Sequence, residues 1–383
     1  MKKILIVNNN LHIGGIQKAL VNLLAEISGK FRVDLMLFCN IGELQKEIPE
    51  DVRVFEGGAR ILGLTQAEAK QRGLVTYFRR SFWALATRLF TTKFTFGVLS
   101  KRYMLEKEYD CAISFMQNCE EHMLYGGCAE FVLNSVKSPK KICFVHCDFL
   151  NYGGNCEYNR KILSKFDKVA AVSRSVTSKL AAAVPEICER LYCVYNCFNF
   201  EKIKSMAEEY TAEYTKGAVN LFTAARISHE KGILRMIPIF KQLKDKGLRF
   251  VWRIAGDGPE RAEAEKLIEE YGLSDEIVLL GQLENPYPFF ERSDIVLVPS
   301  YNEAAPMVFT EARVFGTPVF TTDTLSAREL VESEGNGWVC ANDDEEIAVC
   351  LEKVMRSFSP HKNKIEKLDN ADAVWLFNSL VNS

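Results

Sequence analysis

No C-x-x-C pair, no D-x-D triplet and no G-x-G-x-x-G run occurs in these 383 residues. Each absence removes a class of function. Without paired cysteines, the twelve cysteines offer neither a zinc ribbon nor a dithiol centre. The cluster Cys143, His146, Cys147 and Cys156 also fits no common zinc spacing. Without D-x-D, a divalent cation on a diphosphate has no obvious carboxylate ligands. Without the glycine fingerprint, and without an acidic residue ~20 positions after it, a nicotinamide-dependent oxidoreductase is disfavoured. No stretch approaches the ~20 apolar residues of a membrane span. Charge of one sign is lacking too: 48 Lys and Arg against 50 Asp and Glu leave a net charge of -2. That balance shows no global nucleic-acid footprint, and no nucleic acid is expected as a partner. The apolar run after Met1 is too short for a signal peptide and lacks a small-residue cleavage site. The cysteines therefore read as buried thiols of a reducing cytosol, and the expected location is cytoplasmic.

What is present is ordinary globular composition, 48% hydrophobic and 26% charged, in a chain too long for one core. Residues 218–355 alternate strand and helix. Strands are expected at 219–225, 250–255, 277–280, 294–298 and 318–321, and helices after Gly232 through Leu243, at 260–271 and at 306–315. Gly272 and Gly316 stand as stop signals. Pro238 inside the first of these helices predicts a kink or a late start. The first half repeats the rhythm less regularly, with strands at 3–7, 33–38, 111–115, 141–145, 168–172 and 191–195 and a helix at 16–27. Such alternation indicates α/β architecture with parallel sheets. The expected division is a Rossmann-like domain at 1–196, a connection at 197–217, a second Rossmann-like domain at 218–365 and a C-terminal helix at 366–383. The apolar load of that helix needs a partner surface, expected on the N-terminal domain.

Four stretches at carboxyl strand ends attract attention, because open α/β sheets bind ligands there. Glu303 and Glu311 stand eight residues apart after the apolar run 294–300. Pro306 suits the first turn of the following helix, leaving Glu303 in the loop and Glu311 on the helix. Two acceptor-only carboxylates around helix-start N–H donors suit a polyhydroxylated ligand that also carries negative charge. Ordinary solvated glutamates are the alternative. Arg226 ends a strand and Lys231, followed by Gly232, opens a helix, as two cations holding a diphosphate would. A solvated basic loop is the alternative. Gly14 and Gly15 start the first helix and let backbone approach an anion, or form a plain tight turn. His146 directly follows an apolar strand, either projecting toward a ligand or satisfied structurally. Asp148 reads as a turn or salt-bridge residue.

Taken together, these stretches resemble the retaining GT-B glycosyltransferases, specifically glycosyltransferase family four, the glycosyl transferases group 1. The resemblance covers nearly the whole chain and is strongest from Leu221 to Trp338. It is carried by Arg226, Lys231-Gly232, Gly256-Asp257-Gly258-Pro259, Pro299-Ser300 and Glu303 through Glu311, with Val172-Ser173 and Tyr195-Asn196 at the end of the first domain. Ala304-Ala305 departs from the Gly-Phe or Gly-Leu more often found after the first glutamate. The resemblance implies two facing Rossmann-like domains with an interdomain cleft, a nucleotide-diphosphate sugar as co-substrate, uridine as its expected base, and no other cofactor. It implies that Glu311 holds the ribose and Glu303 faces the sugar. Amides around Ala305, Met307 and Val308 would touch the donor sugar and phosphate. Arg226 and Lys231 would neutralise the leaving diphosphate, Gly14 and Gly15 would approach the phosphate and acceptor, and His146 would hydrogen-bond the donor sugar. The expected reaction is metal-independent transfer, with retention, to a lipid-linked or cell-surface glycan. A non-catalytic intracellular nucleotide-sugar-binding homologue is the alternative.

One stretch lies outside this set. Eight basic residues between Lys70 and Met104 are interleaved with aromatics and interrupted by no Asp or Glu. Such a stretch suits an anionic membrane surface, with Arg79, Arg80 and Arg88 expected to face it and the chain peripheral on the inner face. Packed helices with a solvated basic side are the alternative.

Overall fold

The computed structural model describes residues 1–118, 120–358 and 368–383. The expected boundary between 365 and 366 therefore lies outside the described residues. The chain divides into two compact units, Met1–Phe198 with Asn370–Ser383, and Asn199–Asp369.

Seven strands form the sheet of the first unit: β1 (Lys3–Asn8), β2 (Arg32–Leu37), β3 (Arg53–Glu56), β4 (Cys111–Ser114), β5 (Lys141–Val145), β6 (Lys168–Ala171) and β7 (Leu191–Cys193). Six form that of the second: β8 (Val219–Ala224), β9 (Phe250–Ala255), β10 (Ile277–Gly281), β11 (Ile295–Val298), β12 (Val319–Thr322) and β13 (Gly337–Cys340). The spatial orders are β3-β2-β1-β4-β5-β6-β7 and β10-β9-β8-β11-β12-β13, and every pairing is parallel. Central strands such as β1, β9 and β11 are nearly continuous apolar runs because helices cover both faces of such sheets. In both units the order reverses beside the first strand, between β1 and β4 and between β8 and β11. These are the switch points where crevices open at carboxyl strand ends.

Helix Gly15–Ile27 buries Leu20, Leu23, Leu24 and Ile27, one face of a 3.6-residue period. Helix Arg261–Glu270 stops at Gly272, whose left-handed φ of 64° lets its N–H reach the Glu269 carbonyl at 3.0 Å. Three expectations need correction. The supposed connection 197–217 contains helix Phe200–Ala207, which belongs to the second unit and buries Ile203 and Ala207. Helix Ile233–Asp245 continues through Pro238, so no late start occurs. Pro306 is the N-cap of helix Met307–Val314 rather than its first-turn residue, with an extended ψ of 129°. The C-terminal helix Ala371–Asn382 lies within the first unit: Phe377 meets Phe31 edge-on at 6.2 Å, and the Asn370 amide donates to Glu26 and to the Phe198 carbonyl, each at 2.7 Å. No helix among the described residues is long and apolar enough to cross a membrane.

Candidate functional site

At the switch point of the second unit, glycine decides how closely loops approach. Gly256, after β9, has φ 151°, and a Cβ there would sit 1.9 Å from the Ala225 carbonyl oxygen. A Cβ on Gly258 would sit 2.2 Å from the Ile227 carbonyl oxygen. The turn 256–258 can thus lie flat against the loop leaving β8, where the Ile227 N–H donates to the Asp257 carbonyl at 3.0 Å. Gly232 has φ 66°, and its Cβ would fall 2.1 Å from the Pro299 carbonyl oxygen. Only glycine lets the helix start after β8 touch the end of β11.

That contact brings Lys231 to Glu303. The Lys231 ammonium lies 2.6 Å from Glu303 Oε1, and the Ser300 hydroxyl donates to the same oxygen at 2.9 Å. The sequence suggested the pair as separate contacts on a ligand; the fold joins them in one ion pair. Arg226, on the same loop, is exposed and pairs with Glu230 at 3.0 Å. The Tyr301 N–H donates to the Glu230 carbonyl at 2.9 Å, tying the two loops again. Tyr301 itself lies between the His229 ring, stacked at 4.9 Å, and the Arg235 guanidinium, 4.1 Å from its centroid.

Helix Met307–Val314 starts beyond Ala304 and Ala305 with no side-chain cap. Its first N–H groups, including those of Met307 and Val308, have no intrahelical partner. Glu311 lies one turn in and is buried, with the Tyr287 hydroxyl donating to its Oε1 at 3.1 Å. Tyr287 is a positioning residue that the sequence did not reveal. Ser300 is part of the Pro299-Ser300 landmark, but its hydrogen bond to Glu303 is not legible in the sequence. Tyr287 is 24 residues from its partner and carries no local signal.

In the first unit, Gly14 is the N-cap of helix Gly15–Ile27 and is extended, with φ -170°. Its lack of side chain matters for space, since a Cβ would meet Gln17 Oε1 at 2.6 Å. No side chain caps this helix start either. Beside it, Asn8 Oδ1 and Asn9 Nδ2 are buried with no hydrogen-bond partner among the described residues. His146, after β5, packs against Phe115 at 4.7 Å and Phe144 at 5.9 Å, and its backbone N–H donates to Gln117 Oε1 at 2.9 Å. Its Nε2 is buried without a partner among the described residues. Burial pulls the imidazole down to about 3, against a hydrogen bond with the Phe115 backbone that raises it. This histidine is neutral at physiological pH, so its ring can donate and accept hydrogen bonds but carries no charge. Asp148 is a turn and salt-bridge residue, 2.7 Å from the Lys179 ammonium. Among the described residues no group of three His, Cys, Asp or Glu side chains could hold a metal ion.

The Arg79, Arg80 and Arg88 set does not survive whole. Arg79 and Arg88 are exposed, but Arg80 is turned inward, donating from Nε to the Leu64 carbonyl at 2.7 Å and from Nη1 to Gln66 Oε1 at 2.5 Å.

The family model for glycosyl transferases group 1 matches residues 211–369. A putative colanic acid biosynthesis glycosyltransferase of Escherichia coli (strain K12) is 31% identical over 134 residues, 33% of each chain. The 2-deoxystreptamine glucosyltransferase of Streptomyces kanamyceticus is 38% identical over 96 residues, 24% of this chain and 25% of that one. The chain thus aligns with about a third or less of the length of these two relatives. Among solved structures, Anabaena HepE in complex with UDP and glucose has a TM-score of 0.63 at 18% identity, over 100% of this chain and 95% of that one. Sucrose-phosphate synthase from Thermosynechococcus elongatus has a TM-score of 0.67 at 16% identity, over 100% and 96%. At such identities the likeness is one of fold, and that fold is GT-B.

Proposed function

We propose, from the match of residues 211–369 to the family model for glycosyl transferases group 1, that the chain moves a sugar from a nucleotide-diphosphate sugar to a glycan or lipid-linked acceptor. The observation that carries the reading is the Lys231–Glu303 pair at the switch point between β8 and β11, with buried Glu311 on the helix that follows Glu303. As the bond from the sugar C1 to the diphosphate breaks, the leaving oxygen keeps the electron pair. Fixed cations at Lys231 and Arg226 lower the barrier where that charge grows. Glu311 takes the ribose hydroxyls, Glu303 faces the sugar, and the open amides around Ala305, Met307 and Val308 take phosphate and sugar oxygens. Gly14 and Gly15 bring backbone to the phosphate and acceptor. Neutral His146 hydrogen-bonds the donor sugar. The acceptor hydroxyl forms the new bond to C1 and gives its proton to the leaving diphosphate oxygen.

Uridine is the proposed base, supported by the neighbour in complex with UDP and glucose. Polysaccharide assembly is supported by the colanic acid relative. Retention, and transfer without metal or cofactor, belong to the same proposal. Ala304-Ala305, which departs from the family pattern after Glu303, bears on which sugar the donor carries; the second reading is a homologue that binds the donor without turning it over.

A panel of nucleotide-diphosphate sugars, followed by thermal melting and by release of the nucleoside diphosphate, tests both. Ligand at 100 times its Kd adds about 2.7 kcal/mol of stability, a shift easily seen in melting. A shift with release supports transfer. A shift without release, across a set of glycan and lipid-linked acceptors, points to the silent homologue. No shift with any donor removes the reading.

A further inference from the structure

Residues Leu74–Lys101 form one helical stretch broken at Thr91, whose φ is 71° and ψ 162°. The chain reverses there. Thr87 and Thr95 hydroxyls meet at 2.9 Å, whereas eight residues of unbroken helix would separate them by about 12 Å along the axis. The product is a helical hairpin with Phe90 and Phe94 exposed at its tip, their rings 5.5 Å apart.

The arm before the break carries its apolar load outward. Leu74, Val75, Phe78, Phe82, Leu85 and Leu89 are each between 57% and 73% exposed. At 3.6 residues per turn they fall within about 100° of one another, a single stripe about 24 Å long. Apolar residues scattered singly on a surface need no explanation, but a continuous stripe of six does. Arg79 and Arg88 lie on its two sides, each about 90° from its centre. Lys70, Arg72, Lys93, Lys101 and Arg102 are exposed nearby, and no Asp or Glu occurs between Lys70 and Leu105.

We propose that this hairpin docks on an anionic phospholipid surface, with the stripe and the two tip phenylalanines in the acyl boundary and the arginines at the phosphates. Flanking arginines can keep their charge in the headgroups while their stems cover apolar surface. The charge pattern selects lipid over a second copy of the chain. A two-fold contact of this face with itself would set seven exposed cations against their own copies. Anionic headgroups supply the opposite charge. Arg80, held to Leu64 and Gln66, takes no part.

The test is independent of any transferase activity, because it reads binding alone. Sedimentation is run with phosphatidylglycerol-containing and with pure phosphatidylcholine vesicles. Wild type pellets with the former far more than with the latter. The variant Phe78→Ser, Phe82→Ser, Leu85→Ser melts like wild type, because these side chains are exposed, and stays in the supernatant. The variant Arg79→Gln, Arg88→Gln binds about 25-fold more weakly at low salt, from about fivefold per charge near the surface. Absence of wild-type binding to anionic vesicles overturns the proposal, as does equal pelleting of the apolar variant. A wild type that is dimeric in solution, becomes monomeric in the apolar variant and ignores vesicles assigns the stripe to a second copy instead.

Discussion

Neutralising Glu303 while keeping its shape should separate the two roles that its ion pair combines. The pair is close, 2.6 Å, and half-sheltered, with Lys231 25% and Glu303 12% exposed. At an effective dielectric near 20, a pair even at 4 Å has a gross attraction of about 4 kcal/mol. Desolvation offsets much of it, so the net contribution to folding is about 1 to 2 kcal/mol, between the surface and buried limits. In the proposed reaction the donor diphosphate competes with Glu303 for the same ammonium. Glu303→Gln removes the competitor, so uridine diphosphate should bind as tightly as to wild type or more tightly, although turnover falls. Lys231→Ala removes the cation, and a charged hydrogen bond is worth about 1.5 to 3 kcal/mol, so affinity should fall roughly 10- to 100-fold. Calorimetric titration with uridine diphosphate, alongside melting of each variant, makes the comparison. Equal loss of affinity in both variants would show that the pair only braces the loops after β8 and β11, and the phosphate assignment would be lost.

Arg226→Ala should lower turnover about 100-fold, as loss of a charge-stabilising group does, with melting unchanged because its pair with Glu230 is exposed; near-normal turnover would remove its role. Turnover should survive excess chelator, and full loss restored by manganese or magnesium would refute a metal-free leaving-group site. The His146 ring, pulled down to about 3 by burial, should not titrate between pH 5 and 8. Comparing imidazole resonances of wild type and His146→Asn identifies it, and a His146 signal moving near pH 6.5 would contradict its burial.

The second sheet was legible because its inner strands are short, largely buried apolar runs closed by turn residues: β9 is followed by Gly256 and β11 by Pro299-Ser300. Of the edge strands, β7 and β10 are expected at 191–195 and 277–280, but β3 and β13 are not: they are four residues each and only partly buried, so they carry no such pattern. Helix Phe200–Ala207 hid for the same reason, since only Ile203 and Ala207 of its eight residues are buried. At the site, each residue could be noted at a strand end, but the Lys231–Glu303 contact spans 72 positions and follows only from β8 lying beside β11. The hairpin was hidden differently. Its reversal rests on a threonine at positive φ, where sequence reading looks for glycine or asparagine. Arg80 shows the converse limit: a basic run gives charge, but only the phase of the helix says which arginine turns inward.

The two switch points differ in chemistry in the way the proposed reaction needs. In the second unit the loops after β8 and β11, with the helix that follows the latter, carry formal charges, Arg226, Lys231, Glu303 and Glu311, suited to a ligand with a diphosphate and a ribose. In the first unit the corresponding ends of β1, β4 and β5 carry Asn8, Asn9, Gln117 and His146, and burial keeps that histidine uncharged. Neutral amides and a neutral imidazole can each donate and accept, which matches hydroxyl groups better than phosphate. Three of their buried atoms, Asn8 Oδ1, Asn9 Nδ2 and His146 Nε2, have no partner among the described residues. An unpaired buried polar atom costs about 1 to 3 kcal/mol. A fold that tolerates three at one switch point recovers that free energy when polar ligand groups or ordered water reach them. If the proposed assignment holds, Asn9→Leu should weaken binding of the sugar portion of the donor or acceptor and spare uridine diphosphate itself. Equal loss of both in titrations would place the anion, rather than the sugar, at β1.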